Sequence, residues 1–252
     1  MNNISIIGSN ILFIDKTEST NDYLSNCLKT QSLPEGTVAY TNHQTKGKGQ
    51  RGNTWQSDAN KNMLLSIYLK PIALNPLEQY WLNIISSIGI KRFLAKLELE
   101  SISIKWPNDI MCNHKKIAGI LTECSITGNT IQSAIIGIGI NLNQDQFGDG
   151  LKENVTSIKL ETKKTFDPKQ QIDLLLKYLN QAYILFHSNK HHLLSEYLDS
   201  LYKRNIWDHY IIKGEKQLAK ILGITELGLL KIKLSSGETK AFNVKEIFLS
   251  RK

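Results

Sequence analysis

Apolar positions fall in short runs near the start of the chain. Residues 11–14, 37–40 and 63–69 read as strands, because brief apolar stretches bounded by polar or turn residues suit a sheet better than a helix. Between the first two, Ser19, Thr20 and Asn21 offer cap-type side chains to a helix running to about Leu28, with Tyr23, Leu24, Cys27 and Leu28 on its apolar side. Asn75-Pro76 opens another helix, to about Leu97, in which Leu77, Trp81, Ile84, Ile85 and Ile88 recur at helical spacing. Three further strands, at 101–105, 117–125 and 130–140, are predicted as antiparallel neighbours. Between them stand turn signals at Pro107-Asn108-Asp109, Asn113-His114 and Thr127-Gly128-Asn129.

A helix from Pro168 to about His187 buries Ile172, Leu175, Leu176, Leu179, Tyr183 and Phe186, and a shorter one covers about 193–202. After Asn205 the texture changes to apolar runs at 210–212, 218–222, 229–234 and 241–248, punctuated by Gly214, Gly223, Gly228 and Gly237. That is the pattern of a small all-β barrel. The chain is therefore expected to divide near Arg204 into an α+β unit, 1–204, and a barrel, 205–252. The long polar stretch 45–62 reads as a loop, and long loops in compact folds are usually functional or mobile.

Composition narrows the classes. With 252 residues, 41% hydrophobic, 21% charged and only 5 Pro, neither disorder nor a low-complexity linker fits. A net charge of +8 favours an anionic partner without choosing among nucleic acid, nucleotide, acidic protein and lipid. Cys27, Cys112 and Cys124 form no C-x-x-C pair, which suits a reducing, cytoplasmic setting. No apolar stretch reaches the roughly 18 to 20 residues needed to span a bilayer, and the first residues lack a signal-peptide pattern. We expect no membrane partner and no processing.

Several clusters could carry chemistry. Gly47, Gly49 and Gly52 satisfy G-x-G-x-x-G, but no helix pattern starts at the third glycine, so a dinucleotide fold is disfavoured. What remains is a glycine loop with Lys46, Lys48 and Arg51, which either wraps a phosphate or stays a solvated basic loop. The segment 105–109, Lys-Trp-Pro-Asn-Asp, puts a cation at a strand end and a carboxylate in a turn. That carboxylate could hold Mg²⁺ or a ribose hydroxyl, or simply belong to a hairpin. Lys115-Lys116 precede an apolar strand, where a lysine either meets a buried anion or guards a sheet edge. Gly137 and Gly139, with Asn141 beyond them, mark a place where a backbone or ligand comes close. His187, His191 and His192 lack a carboxylate in any recognised metal pattern, and no G-x-S-x-G elbow is present.

In order, Ser19-Thr20-Asn21, Gln44 with the loop 47–52 and Trp55, the 105–109 segment, 116–121 (Lys-Ile-Ala-Gly-Ile-Leu) and 137–143 resemble the biotin protein ligase family. The resemblance covers about the first 145 residues closely and the terminal barrel by position and texture. It implies an α+β catalytic domain related to class II aminoacyl-tRNA synthetases, with a mixed, mostly antiparallel sheet, followed by an SH3-like barrel. It also implies the reaction: biotin and Mg-ATP give biotinoyl-5′-AMP and pyrophosphate, and the acyl group passes to a lysine of a biotin carboxyl carrier protein. Larger relatives carry an N-terminal winged helix and act as repressors; this chain begins at the catalytic domain, so no DNA partner is expected. A homodimer is left open.

Residue by residue, the resemblance implies that Lys116 and Arg51 are catalytic, with Lys116 touching the biotin carboxylate and the α-phosphate. Biotin would meet Ser19, Thr20, Asn21, Gln44, the loop residues Gly47, Lys48, Gly49, Gln50 and Arg51, and Gly119, Gly137 and Gly139. ATP would meet Lys48, Arg51, Trp55, Lys105, Asn108, Lys116 and Asn141, with Asp109 near Mg²⁺. The glycine loop would close over the adenylate. The commonest family loop reads G-R-G-R-R-G; Lys48 and Gln50 replace two of its arginines here, so bidentate phosphate contacts are fewer. Two rival readings are a lipoate or octanoate ligase of the same fold, and an RNA-binding or adaptor module. The latter needs aromatic and basic residues interleaved on one face, which the barrel sequence is not expected to display.

Overall fold

The computed structural model describes residues 6–71, 74–148, 150 and 152–250. Its first sheet contains β1 (Asn10–Thr17), β2 (Thr37–Gln44), β3 (Met63–Leu69), β4 (Ile102–Lys105), β5 (Asp109–Cys112), β6 (Lys115–Thr127) and β7 (Thr130–Ile140). The spatial order is β1-β2-β3-β7-β6-β5-β4. Only β1 and β2 pair in parallel, and the crossover such a pair needs is supplied by helix α1 (Thr20–Thr30). Every residue of β3 is buried, because both faces of the sheet are covered. On one face, Leu24 of α1 packs with Ala39, Tyr68 and Ile135. On the other, α2 (Tyr80–Lys96) and α4 (Pro168–Asp199) bury Ile84, Ile88, Leu175 and Leu179 against the sheet.

Helix α4 explains why its sequence reads as two helices. Asn189 departs from helical geometry (φ −155°, ψ 74°), and its side chain accepts from His192 N at 3.0 Å, capping the second segment. Two elements go beyond the sequence expectation. Strand β5 occupies the gap between two predicted turns and pairs with β4 and β6, and the short α3 (Ile158–Thr162) is capped by Ser157. Residues 76–78 form a separate 3₁₀ turn ahead of α2.

The second sheet is antiparallel, with order β11-β10-β9-β8-β12: β8 (Trp207–Ile212), β9 (Glu215–Ile224), β10 (Leu230–Leu234), β11 (Thr239–Phe242) and β12 (Ile247–Leu249). The last predicted run splits in two, since Glu246 accepts from Asn243 N at 2.6 Å and Lys245 adopts φ 80°, turning the chain to the opposite edge. Tyr210, Ile221, Leu230 and Ile247 join the same apolar cluster as Ile104 and Leu201, so the two sheets pack together. Two hydrogen bonds fasten the β9–β10 turn to the first unit: Trp106 Nε1 donates to Gly228 O and Tyr80 OH to Glu226 O, both at 3.0 Å. Gly228 (φ +75°) is required there, because a Cβ would lie 2.5 Å from Tyr80 Cγ. Among the described residues no helix is long and apolar enough to cross a membrane.

Candidate functional site

The site lies where α1, the glycine loop, β6 and β7 meet. The loop folds back on itself through Gly49 N to Asn53 O (2.7 Å) and Trp55 N to Gly47 O (2.9 Å). A Cβ on Gly47 would come within 2.5 Å of Trp55 O, so this close return needs glycine. Two exposed ion pairs hold the loop to the start of α1: Lys46 with Glu18 at 2.7 Å and Lys48 with Asp22 at 2.5 Å. The Asp22 carboxylate beside Lys48 holds its ammonium above the usual lysine range. Exposed pairs of this kind contribute little stability, so the loop is fastened lightly.

Under the loop lies a small inner cavity of about 50 Å³ with polar and glycine walls. Its polar wall is one continuous network. Gln44 Oε1 accepts from Thr20 N (2.8 Å) and Thr20 Oγ1 (3.0 Å), while Ser66 Oγ contacts Thr20 Oγ1 (2.7 Å) and Asn21 Oδ1 (2.6 Å). Asn21 Nδ2 donates in turn to Glu123 Oε2 at 2.6 Å. Ser19 adds its hydroxyl as the cap of α1. The glycine wall is Gly119 and Gly139, paired across β6 and β7, together with Gly137. Each is small for a visible reason: a Cβ on Gly137 would lie 2.4 Å from Asn21 Oδ1, and on Gly139 2.5 Å from the Trp55 ring. Trp55 thus fills space over the glycines, and its buried indole N–H has no partner. A ligand carrying an acceptor would satisfy it.

A larger cavity of about 550 Å³ opens outward between the two sheets. Lys105, Lys116, Lys203 and Lys245 line it, with Asp109 as the one carboxylate. Lys203 is engaged by Asp208 and Lys116 by Asp109, so the uncompensated positive charge comes from Lys105 and Lys245. Lys116 Nζ sits 2.6 Å from Asp109 Oδ1 and 5.4 Å from the Trp55 ring centroid. Its ammonium passes close to Gly119, where a Cβ would be 3.2 Å away. Lys116 is the one cation that lines both cavities among the described residues. Asn108 fixes the turn beside it, since its side chain and backbone bond both peptide groups of Ile120, at 2.8 and 3.0 Å.

The structure therefore brings together nearly all the residues singled out in the sequence. Ser19, Thr20, Asn21 and Gln44 converge with Lys48, Gly49 and Gln50; Trp55, Asn108 and Lys116 lie with Gly119, Gly137 and Gly139; Lys105 and Asp109 line the outer wall. Arg51 belongs to the 3₁₀ turn Gln50–Gly52, and its side chain lies outside the described atoms. Gly47 and Asn141 line neither cavity: Gly47 shapes the loop against Trp55 O. Asn141, buried, donates from Nδ2 to Thr156 O at 2.9 Å, and Thr156 N in turn bonds Lys116 O. It buttresses the strand behind Lys116. Ser66 and Glu123, which line neither cavity but bond the Thr20 and Asn21 side chains that do, were missed by the sequence reading; a lone serine in the apolar run 63–69 was the available signal.

Other chemistries lack a site. Burial pushes the Cys124 thiol up to about 11 and that of Cys112 up to about 12, so both stay protonated and non-nucleophilic near neutrality. Among the described residues no cluster of three or more His, Cys, Asp or Glu could hold a metal ion. A single carboxylate, Asp109, fits a Mg²⁺ whose remaining ligands are phosphate oxygens and water, the usual way this ion arrives with a nucleotide.

A polar slot and a cationic antechamber thus share one lysine. The sequence profile of the Biotin/lipoate A/B protein ligase family matches residues 13–141, and the chain belongs to that family. It is similar to the bifunctional ligase/repressor BirA of Bacillus spizizenii, 32% identical over 181 residues, covering 71% of this chain and 55% of that protein. It is also similar to the biotin–[acetyl-CoA-carboxylase] ligase of Paracoccus denitrificans, 30% identical over 166 residues, covering 64% and 67%. In three dimensions it superposes on the biotin protein ligase of Aquifex aeolicus in complex with biotin and ATP, with a TM-score of 0.80 and 25% identity, over 97% of this chain and all of that one. The chain thus spans little more than half of the Bacillus relative and the whole length of the Aquifex structure.

Proposed function

We propose that this protein is a biotin protein ligase: it joins biotin to AMP at the expense of ATP and passes the biotinoyl group to a lysine of a carrier domain. The observation that carries the reading is the position of Lys116, the cation common to both cavities. Biotin occupies the inner slot, its ring held by the network of Thr20, Asn21, Gln44 and Ser66 and its carboxylate directed at Lys116. ATP occupies the outer cavity, its phosphates among Lys105, Lys116 and Lys245 and its base on the Trp55 side.

A biotin carboxylate oxygen attacks the α-phosphorus, a new O–P bond forms, and the bond to pyrophosphate breaks. Two anions must approach each other in this step, and a fixed ammonium touching both stabilises the charge that grows between them. Asp109 holds that ammonium in place from the other side. Asp109 would hold Mg²⁺ there, whose chemistry would be to neutralise charge on the pyrophosphate. The glycine loop, with Arg51, closes over the mixed anhydride and keeps water from it. The inner cavity is too small for a substrate of this size while Trp55 rests on Gly119 and Gly139, so entry requires the indole and its loop to move. The acceptor amine then attacks the acyl carbon and AMP leaves. The name of the Paracoccus relative supports a carboxylase carrier domain as acceptor, and three unpaired cysteines support a reducing compartment.

The test is incubation with biotin, Mg-ATP and a carrier domain, read by intact mass. The expected result is a gain of one biotinoyl group on the carrier and none when lipoate replaces biotin. A gain with lipoate alone moves the protein to the sister activity of the family, and a gain with neither refutes the reading.

A further inference from the structure

The outer face of the second sheet carries a pattern that ligation does not use. Alternate residues of a strand point to opposite faces, and here the inward set, Tyr210, Ile212, Ala219, Ile221 and Ile232, is buried. The outward set mixes aromatic and basic residues with the aliphatic Ile211, Leu218 and Leu222. Trp207 is 44% exposed and Phe248 54% exposed, both large for an apolar side chain in water. The sheet register arranges them in two rows. Lys233 lies opposite Lys220, which lies opposite Trp207; Lys216 lies opposite Ile211, which lies opposite Phe248. The rows are about 13 Å apart along the strands, the rise of four residues. Lys231 extends the basic edge on β10.

Charge on this face is one-sided. None of Lys216, Lys220, Lys231 and Lys233 is ion-paired among the described residues; Lys220 instead rests 5.1 Å from the Trp207 ring centroid. The acids of the sheet are placed elsewhere. Asp208 has inward parity and binds Lys203, Glu215 at the start of β9 shares the inward parity of its partner Ile212, and Glu238 binds Lys240. Like charges directly opposite on neighbouring strands, as Lys220 and Lys233 are, destabilise a sheet unless an anion lies between them. A flat surface offering several unpaired lysines to a polyanion and exposed rings to planar groups is the way sequence-tolerant proteins hold single-stranded nucleic acid. Nothing in the linear order of residues brings aromatic and basic side chains to one face of this unit; the register does.

We propose that the outer face of β8, β9, β10 and β12 binds single-stranded nucleic acid, with phosphates on Lys216, Lys220, Lys231 and Lys233 and bases stacked on Trp207 and Phe248. An acidic peptide would satisfy the lysines but would bring nothing planar to the two rings. The site shares one residue with the cavities of the ligation reaction, Phe248, which also lines the outer one.

The test is fluorescence anisotropy of the full chain with a labelled oligouridine of about twelve nucleotides, a length within the footprint of comparable sheets, at rising salt. Four phosphate contacts predict a slope of log K on log salt of about −2.8, or about fifty-fold weaker binding at 200 than at 50 mM. The double variant Lys220→Gln/Lys233→Gln should flatten that slope by about 1.4 and leave biotinoyl-AMP formation unchanged, which also reports that it is folded. Trp207→Ala should weaken binding about tenfold or more with the slope unaltered. The charge-matched variant Lys169→Gln/Lys177→Gln, on exposed positions of α4, should bind as the parent does. Absence of binding at 50 mM salt, equal losses in the α4 variant, or equally tight capture of polyglutamate or of phosphatidylglycerol vesicles would each overturn the proposal.

Discussion

The inner and outer cavities meet at Lys116 but are built on opposite principles. In the inner one nearly every polar group already has a partner, from Gln44 through Thr20 and Ser66 to Asn21 and Glu123, and the facing wall is cut back to glycine. In the outer one the volume is some ten times larger and the lining is lysine on several separate elements. A fixed hydrogen-bond pattern discriminates by leaving buried groups unpaired when the wrong ligand enters. A cationic lining attracts any polyphosphate through its charge more than through a fixed hydrogen-bond pattern. On the proposed function, the first arrangement suits an invariant vitamin and the second a nucleotide whose pyrophosphate must leave.

Substitutions can separate the two halves. Among substitutions confined to one half, the largest expected effect is that of Gly137→Ala. Its new Cβ displaces Asn21 Oδ1, breaking the contacts with Ser66 and Glu123 together, and losses of about 1–3 kcal/mol per orphaned group make biotin binding about a hundredfold weaker. Calorimetry with biotin checks this, and ATP affinity should hold. Ser66→Ala is milder, since it removes one hydroxyl from the network; biotin affinity should fall about tenfold and the melting temperature by a few degrees. Lys245→Gln should act only on the outer side, raising KM for ATP about threefold at low salt and less at high salt, with biotin affinity constant. If Ser66→Ala weakened ATP and biotin alike, the division into two independently built halves would be wrong.

Much of this was readable in the chain. The glycine loop, the pair Gly137 and Gly139, the Lys105-to-Asp109 segment and Lys116 announce themselves, because glycine and lysine in apolar surroundings have few structural excuses. The pause between the two halves of α4 was equally visible. What the chain concealed depends on long-range register. Ser66 looks like one polar residue in a buried strand until β3 is placed beneath Thr20 and Asn21. Asn141 sits at the right strand end for a ligand contact, yet residues 154–156 return beside Lys116 and take its amide. Strand β5 is too short to show a period of its own, and the mixed face of Trp207 and the lysines exists only once β8, β9 and β10 are aligned.

The central claim is that Lys116 couples the two cavities by touching both reacting anions, and its most direct test is single-turnover formation of biotinoyl-AMP from biotin and Mg-ATP by the parent and by Lys116→Ala. Removal of a fixed cation at the reacting centre is expected to slow adenylation by at least about a thousandfold. Transfer from separately supplied biotinoyl-AMP to the carrier should fall far less, because that step no longer joins two anions. Adenylation at the parent rate in Lys116→Ala would contradict the account.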